Sequence, residues 1–319
     1  MNLQDIKRIG VLGAGLMGHG IAQVFASAGY GVSIFDADTA TLEKAKERIA
    51  ANFDVFIRLK LATAADRDRC LDLVTISKDL PDLCHGPQVI VEAISENMDV
   101  KKKIYGELEQ YVPSETILTS NTSALSITDI SAALRHKGRF MGTHFWNPPH
   151  ILPCVEVIKG ASTSQEDFDA VYALLEKAGK VPVRVLKDVP GFLGNRLQHA
   201  MWREAISLRE NEIASAEDID KVVKYGFGIR MSFIGPLETA DLAGLALTRD
   251  IHEYLFPYLE SSLEPSPVLD ALVSDGATGV KAGRGFYDWT PEKIQEMIQK
   301  RDSVFLRIIH EIIGRTKGG

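Results

Sequence analysis

The sequence predicts an α/β domain built on a doubly wound parallel sheet with a protruding helix hairpin, followed by an all-helical C-terminal domain. Three observations predict it. Two apolar runs near the N-terminus, 9–12 and 31–35, flank a glycine-punctuated helical stretch. From there to about residue 185, short strand-like runs alternate with helical patterns, as parallel βαβ units do. Beyond Pro190 the pattern is almost wholly helical. The change falls at Asp188-Val-Pro-Gly, a linker-like segment, so the predicted domains are residues 1–188 and 189–319.

The first strand breaks at Gly13, and Gly13, Gly15 and Gly18 spell G-x-G-x-x-G at the mouth of a helix running to about Ser27. Gly13 permits the tight turn, Gly15 lets backbone approach a pyrophosphate, and Gly18 lets helix pack on strand. The helix N-terminus offers free N–H groups and partial positive charge to phosphates. The second strand ends at Asp36, where a carboxylate takes ribose hydroxyls and repels a 2′-phosphate; no Arg follows immediately. The cofactor expected of this Rossmann-type unit is NAD rather than NADP.

After Asp36, helical patterns at 40–59 and 64–73 outnumber the single helix a crossover needs, which predicts the hairpin. Residues 88–92 read as a buried strand, near-continuously apolar. A helix at 100–111 and strands at 116–119, 140–145 and 154–158 follow, then a helix at 164–179 and a last strand at 181–185. The C-terminal domain is read as helices at 192–211, 216–224, 236–242, 245–258 and from Pro291.

Composition bounds the function. The 319 residues are 45% hydrophobic and 25% charged, as in an ordinary globular protein of about two domains. A net charge of −7 gives no footprint for nucleic acid or an anionic membrane. No apolar stretch is long enough to cross a bilayer. MNLQDIKR has no apolar signal region, and Cys70, Cys84 and Cys154 show no paired spacing. A reduced, cytoplasmic location is therefore expected.

His144 lies near the end of one predicted strand and Glu156 inside another, Cys-Val-Glu-Val-Ile. Both faces of that second strand are apolar, so the carboxylate is expected to be buried, and a buried charge requires a partner. His144 on the neighbouring strand is the natural one, and such a pair fixes the imidazole tautomer as a general base requires. Ser123 follows a sheet strand, where ligands of open α/β sheets bind, although it or Thr122 also suits a helix cap. Asn195 opens the helical domain, where an amide equally serves as a cap. His19, His85, His199 and the cysteines lack ligand spacing, so no metal is expected.

The motifs GAGLMG, VEAISEN, SNTSALSI, HFWNPP, VEVIKG, DVPGFLGNR and TGVKAGRGFYDW resemble, in order and spacing, the 3-hydroxyacyl-CoA dehydrogenase superfamily over essentially the full chain. The resemblance implies that His144 is the base, that Glu156 orients it, and that Ser123 and Asn195 hydrogen-bond the reacting oxygen. It places Gly13, Gly15, Leu16, Met17, Gly18, Asp36, Glu96, Lys101, Ser123 and Asn147 at the cofactor. It implies reversible hydride transfer between NAD and the secondary alcohol of a 3-hydroxy acid or short 3-hydroxyacyl-CoA. It also implies a homodimer formed through the helical domain, where Leu242–Leu247 is notably apolar.

The departures bear on substrate. Relatives acting on acyl-CoA carry a lysine-rich hairpin, whereas this one offers Arg58, Lys60, Arg67 and Arg69 offset by two aspartates. The loop after His144 is Asn-Pro-Pro-His-Ile-Leu-Pro. The segment from Gly228 resembles the branch of L-gulonate 3-dehydrogenase (lambda-crystallin) and a pyridine-carboxylate dehydrogenase, which act on small free acids. Arg230 is then a candidate carboxylate clamp and His150 a candidate pocket residue. The small-molecule substrate is thus a free hydroxy acid or an acyl-CoA, and a non-enzymatic, crystallin-like role is the reading from a different class.

Overall fold

The computed structural model describes residues 3–316. Eight strands form one sheet: β1 (Arg8–Leu12), β2 (Gly31–Phe35), β3 (Val74–Ile76), β4 (Val89–Glu92), β5 (Ile117–Ser120), β6 (Phe140–Phe145), β7 (Cys154–Ile158) and β8 (Val181–Val185). Their order is β3-β2-β1-β4-β5-β6-β7-β8. The first six run parallel; β7 pairs antiparallel to β6, and β8 runs parallel to β7. Strands β4, β5 and β6 are buried along their whole length, which is why β4 reads as a near-continuous apolar run without alternation.

Helices cover both faces. Gly18–Ser27, Ala45–Arg58 and Gln165–Lys177 bury Phe25, Ile49, Phe53, Phe168 and Leu174 on one face. Met98–Tyr111 and Ile127–Ser131 bury Tyr105, Leu108 and Ile130 on the other, together with Phe192. The hairpin is formed by Ala45–Arg58 and Ala64–Asp72. Its base packs through Ala45, Ile49, Phe53 and Cys70, whereas Leu61 at its tip is exposed.

The expected single helix 40–59 is two, Thr39–Glu43 and Ala45–Arg58, meeting at Lys44. Four short elements escaped the reading: β3, Leu80–Cys84, Ile127–Ser131 and Phe227–Met231. The helix Pro267–Ser274 escaped it too.

The chain divides into two compact units, Met1–Arg196 with Asp302–Ile309, and Leu197–Arg301 with the chain from His310. The second unit is helical, including Ala216–Tyr225, Pro236–Ala243 and Leu245–Leu255. None of its helices up to Ser274 holds a buried side chain. Leu237, Leu242 and Tyr225 are 82%, 76% and 77% exposed. Among the described residues no helix is long and apolar enough to cross a membrane.

Candidate active site

The reversal of strand direction between β6 and β7 sets His144 directly opposite Glu156 in the ladder. His144 Nδ1 lies 2.8 Å from Glu156 Oε2, and both residues are buried. A carboxylate can only accept, so Nδ1 carries the proton and Nε2 is left as the basic nitrogen. The other carboxylate oxygen, Oε1, accepts the backbone amides of Leu193 (2.8 Å) and Gly194 (3.0 Å). These amides enter the helix Gly194–Glu210 after a tight turn in which Gly191 and Phe192 both have positive φ.

Burial pushes the Glu156 carboxyl up, but the His144 bond and the two amides outweigh it and hold the group below the usual carboxylate range. A lowered folded-state value means the ionised carboxylate stabilises the fold above the unfolded-state pKa. That contribution is lost as pH falls through the folded one. Melting temperature measured against pH is expected to fall on the acid side of the ordinary carboxylate range, and more shallowly in Glu156→Gln. Burial, reinforced by Glu156, raises the nearby Cys154 thiol to about 11, too high for a nucleophile near neutral pH.

Ser123 sits in the turn after β5 and is exposed. The cap of the following helix is Ser126, which accepts from Asp129, so Ser123 is not spent as a cap. Asn195 Nδ2 donates to the Ser123 carbonyl at 2.7 Å, which ties the serine turn to the helix whose first amides hold Glu156. From the opposite side Glu96 Oε1 accepts Thr122 Oγ1 (2.6 Å) and the amides of Ser123 (2.8 Å) and Ala124 (3.2 Å). Behind it Lys101 is fully buried, 2.5 Å from Glu92 and 3.6 Å from Glu96. Glu92 also accepts from Tyr105 and Ser120. His144, Glu156, Ser123, Asn195, Glu96 and Lys101 therefore form one connected assembly.

The sequence reading missed the Leu193 and Gly194 amides and the buried Glu92–Tyr105–Ser120 cluster. Glu92 left a signal, an acidic residue closing an otherwise apolar strand. The amides left none, because backbone groups carry no residue-type code.

The dinucleotide turn has the required shape. Gly13 has φ +101°, and a Cβ there would meet the Ala93 carbonyl oxygen at 2.5 Å. A Cβ on Gly18 would fall 1.7 Å from the Gly13 oxygen, so only glycine closes this turn. At Gly15 nothing lies within 4 Å of a built Cβ, which leaves room for a pyrophosphate against the backbone. Met17 supplies no capping side chain to the helix Gly18–Ser27, which leaves its N-terminus open to an anion, with the His19 amide making only a long 3.5 Å contact to the Gly15 carbonyl. Asp36 directly follows β2, its Oδ2 accepting the Ala14 amide (2.7 Å) and its Oδ1 the Asp38 amide (2.9 Å), beside the glycine turn. Leu16 is exposed on the turn and Met17 half-buried. These residues fit NAD.

Asn147 is exposed at the start of the β6–β7 connection, and its peptide bond to Pro148 is cis. His150 packs near Phe56, and its Nδ1 lies 3.3 Å from Asn52 Nδ2. Arg230 is exposed on Phe227–Met231 in the second unit. In the hairpin, Arg67 lies against Asp68 and Asp54, and Arg69 against Asp66.

The chain matches the 3-hydroxyacyl-CoA dehydrogenase NAD binding domain over residues 8–189 and the C-terminal domain of that family over 191–289. It is 31% identical over 310 residues to 5-formyl-3-hydroxy-2-methylpyridine 4-carboxylate 5-dehydrogenase of Mesorhizobium japonicum, covering 97% of this chain and 99% of that one. It is 39% identical over 294 residues to human mitochondrial hydroxyacyl-coenzyme A dehydrogenase, covering 89% and 91%. Among solved structures it superposes at TM-score 0.89 and 30% identity, over 97% and 99% of the two chains, on a 5-formyl-3-hydroxy-2-methylpyridine 4-carboxylic acid 5-dehydrogenase, an NAD+ dependent dismutase. Mycobacterium tuberculosis FadB2 superposes at 0.75 and 35% identity, over 89% and 99%.

These relatives correct one expectation. The cytoplasmic location does not stand, because the human, rat, pig and mouse relatives are mitochondrial proteins. Free cysteines and an acidic charge balance do not separate a mitochondrial protein from a cytosolic one. The chain belongs to the 3-hydroxyacyl-CoA dehydrogenase family, as an NAD-dependent dehydrogenase acting on a CH–OH donor and related to its pyridine-carboxylate branch.

Proposed function

We propose that the enzyme oxidises the alcohol or hydrated aldehyde carbon of a small free carboxylic acid, of the hydroxymethyl- or formyl-pyridine-carboxylate kind, in preference to a CoA thioester. The observation that carries this is the near end-to-end superposition at TM-score 0.89 on a pyridine-carboxylate dehydrogenase, against 0.75 over 89% of the chain for FadB2. The hairpin agrees. Of the four cations in its 56–70 segment, Arg67 and Arg69 lie against aspartates on the hairpin itself, so only Arg58 and Lys60 are left there to face the phosphates of CoA.

NAD, when bound, supplies the hydride acceptor. His144 Nε2 takes the hydroxyl proton as the C–H bond breaks, and Glu156 holds the imidazole in that tautomer and stabilises the imidazolium. Ser123 and Asn195 hydrogen-bond the reacting oxygen, and Asn147, Glu96 and Lys101 order the cofactor side. Arg230 binds the substrate carboxylate through its guanidinium fork.

NADH formation by the purified protein, read against a panel of pyridine-carboxylate alcohols and aldehydes, L-gulonate and 3-hydroxybutyryl-CoA, tests this. A free acid is expected to exceed the CoA ester in kcat/KM by about 100-fold or more. Activity confined to CoA esters would reverse the assignment. In Arg230→Ala the KM for the active acid is expected to rise about tenfold or more, as loss of a charged hydrogen bond does. An unchanged KM removes Arg230 from the pocket.

The enzyme acts as a homodimer in this proposal. A helical unit whose helices up to Ser274 bury no side chain cannot by itself offset the entropy of ordering its chain. Light scattering after gel filtration is expected to give twice the 35.1 kDa chain mass. Aspartate at Leu242 and Leu245 is expected to abolish that species, and a monodisperse, active monomer would refute it.

A further inference from the structure

Lys180 precedes β8, and no role in the dehydrogenase chemistry described above falls to it. Its Nζ donates to the carbonyls of Pro149 (2.5 Å) and Leu152 (3.0 Å), both in the connection between β6 and β7. Among the described residues no carboxylate lies against it. The side chain as a whole is half-buried, but desolvation of its Nζ lowers its pKa to about 8. An ammonium held by carbonyl dipoles alone is costly to bury, and methionine would fill the same slot without that cost. The cation is therefore explained by what it holds rather than by stability.

What it holds is a short turn. The amides of Ile151 and Leu152 both donate back to the Pro148 carbonyl, at 3.1 and 2.9 Å. Pro149 at its crest lies against Gly20 in the dinucleotide-binding helix, so closely that a Cβ on Gly20 would come within 2.7 Å of Pro149 Cγ. His150 reaches Asn52 in the hairpin. The turn begins at Asn147, three residues after His144, and rejoins the sheet two residues before Glu156.

Resting on the proposed place of Asn147 at the cofactor, we infer that Lys180 is a positioning residue for the coenzyme: by bonding Pro149 and Leu152 it seats the 147–153 turn on the Gly20 surface of the dinucleotide helix and so presents Asn147 to the cofactor side of the site. The cation acts through the turn and touches neither substrate nor cofactor.

Lys180→Met tests the inference in the full-length protein. Hydrogen exchange of the Ile151 and Leu152 amides without cofactor is expected to accelerate about tenfold or more, the scale of a lost charged hydrogen bond. NADH affinity, followed by fluorescence well below the melting temperature, is expected to weaken about tenfold. A role in stability alone would lower the melting temperature and leave NADH affinity within about twofold, and that result overturns the inference. Gly20→Ala lifts Pro149 from the opposite side with Lys180 intact, and the same loss of NADH affinity is expected. If Lys180→Met does not fold, Gly20→Ala decides alone, and unchanged NADH binding in it refutes the proposal.

Discussion

Glu156→Gln is expected to lower kcat about 10³–10⁴-fold while NADH affinity and the fold persist. Glutamine keeps a carbonyl oxygen for the amides of Leu193 and Gly194, so the turn before Gly194–Glu210 stays in place. Its NH2 group then faces His144 Nδ1, where Oε2 now sits at 2.8 Å. A donor there forces the imidazole proton onto Nε2, and the nitrogen that must accept becomes a donor. In serine proteases the corresponding acid-to-amide change costs about 10⁴ for the same reason. Stopped-flow measurement of the hydride step separates this from binding. A kcat within tenfold of wild type would show that the carboxylate does not set the tautomer.

His144→Ala is expected to cost about 10²–10⁴ in kcat, the range for loss of a positioned base, with KM little changed. The informative variant is the double one. Glu156 contributes to turnover only through the imidazole, so Glu156→Gln added to His144→Ala is expected to cost almost nothing further. Residues acting as a unit are non-additive in this way. Additive losses would give the Glu156 charge a role in turnover independent of the imidazole.

How much of this was legible beforehand follows from what each residue type can signal. β2, β6, β7 and β8 matched their expected ends, each with a glycine, proline or polar residue at or within two positions of its boundaries. β3 is three residues long with only Val74 buried, too short for any periodicity to register. Leu80–Cys84, Ile127–Ser131 and Phe227–Met231 are five residues each, under two helical turns. Within the site, the pairing of His144 with Glu156 could be read because an acid inside an apolar strand demands a partner. The Ser123–Asn195 tie runs through the Ser123 carbonyl, and Glu96 through the amides of Ser123 and Ala124, so residue identity announced neither.

The antiparallel pairing of β6 with β7 has a consequence for how such an enzyme diversifies. A one-residue slip in either strand would turn Glu156 away from His144, so the pair tolerates no insertion within residues 140–145 or 154–158. The register is held from outside, by β5 against β6 and by β8 against β7, and does not depend on the length of the connection between them. The alignment of the base is thus written in the strands and not in the connection between them. Changes in the connection leave the base untouched, and because residues 147–153 pack on the dinucleotide helix at Gly20, their effect is expected on coenzyme affinity rather than on proton abstraction.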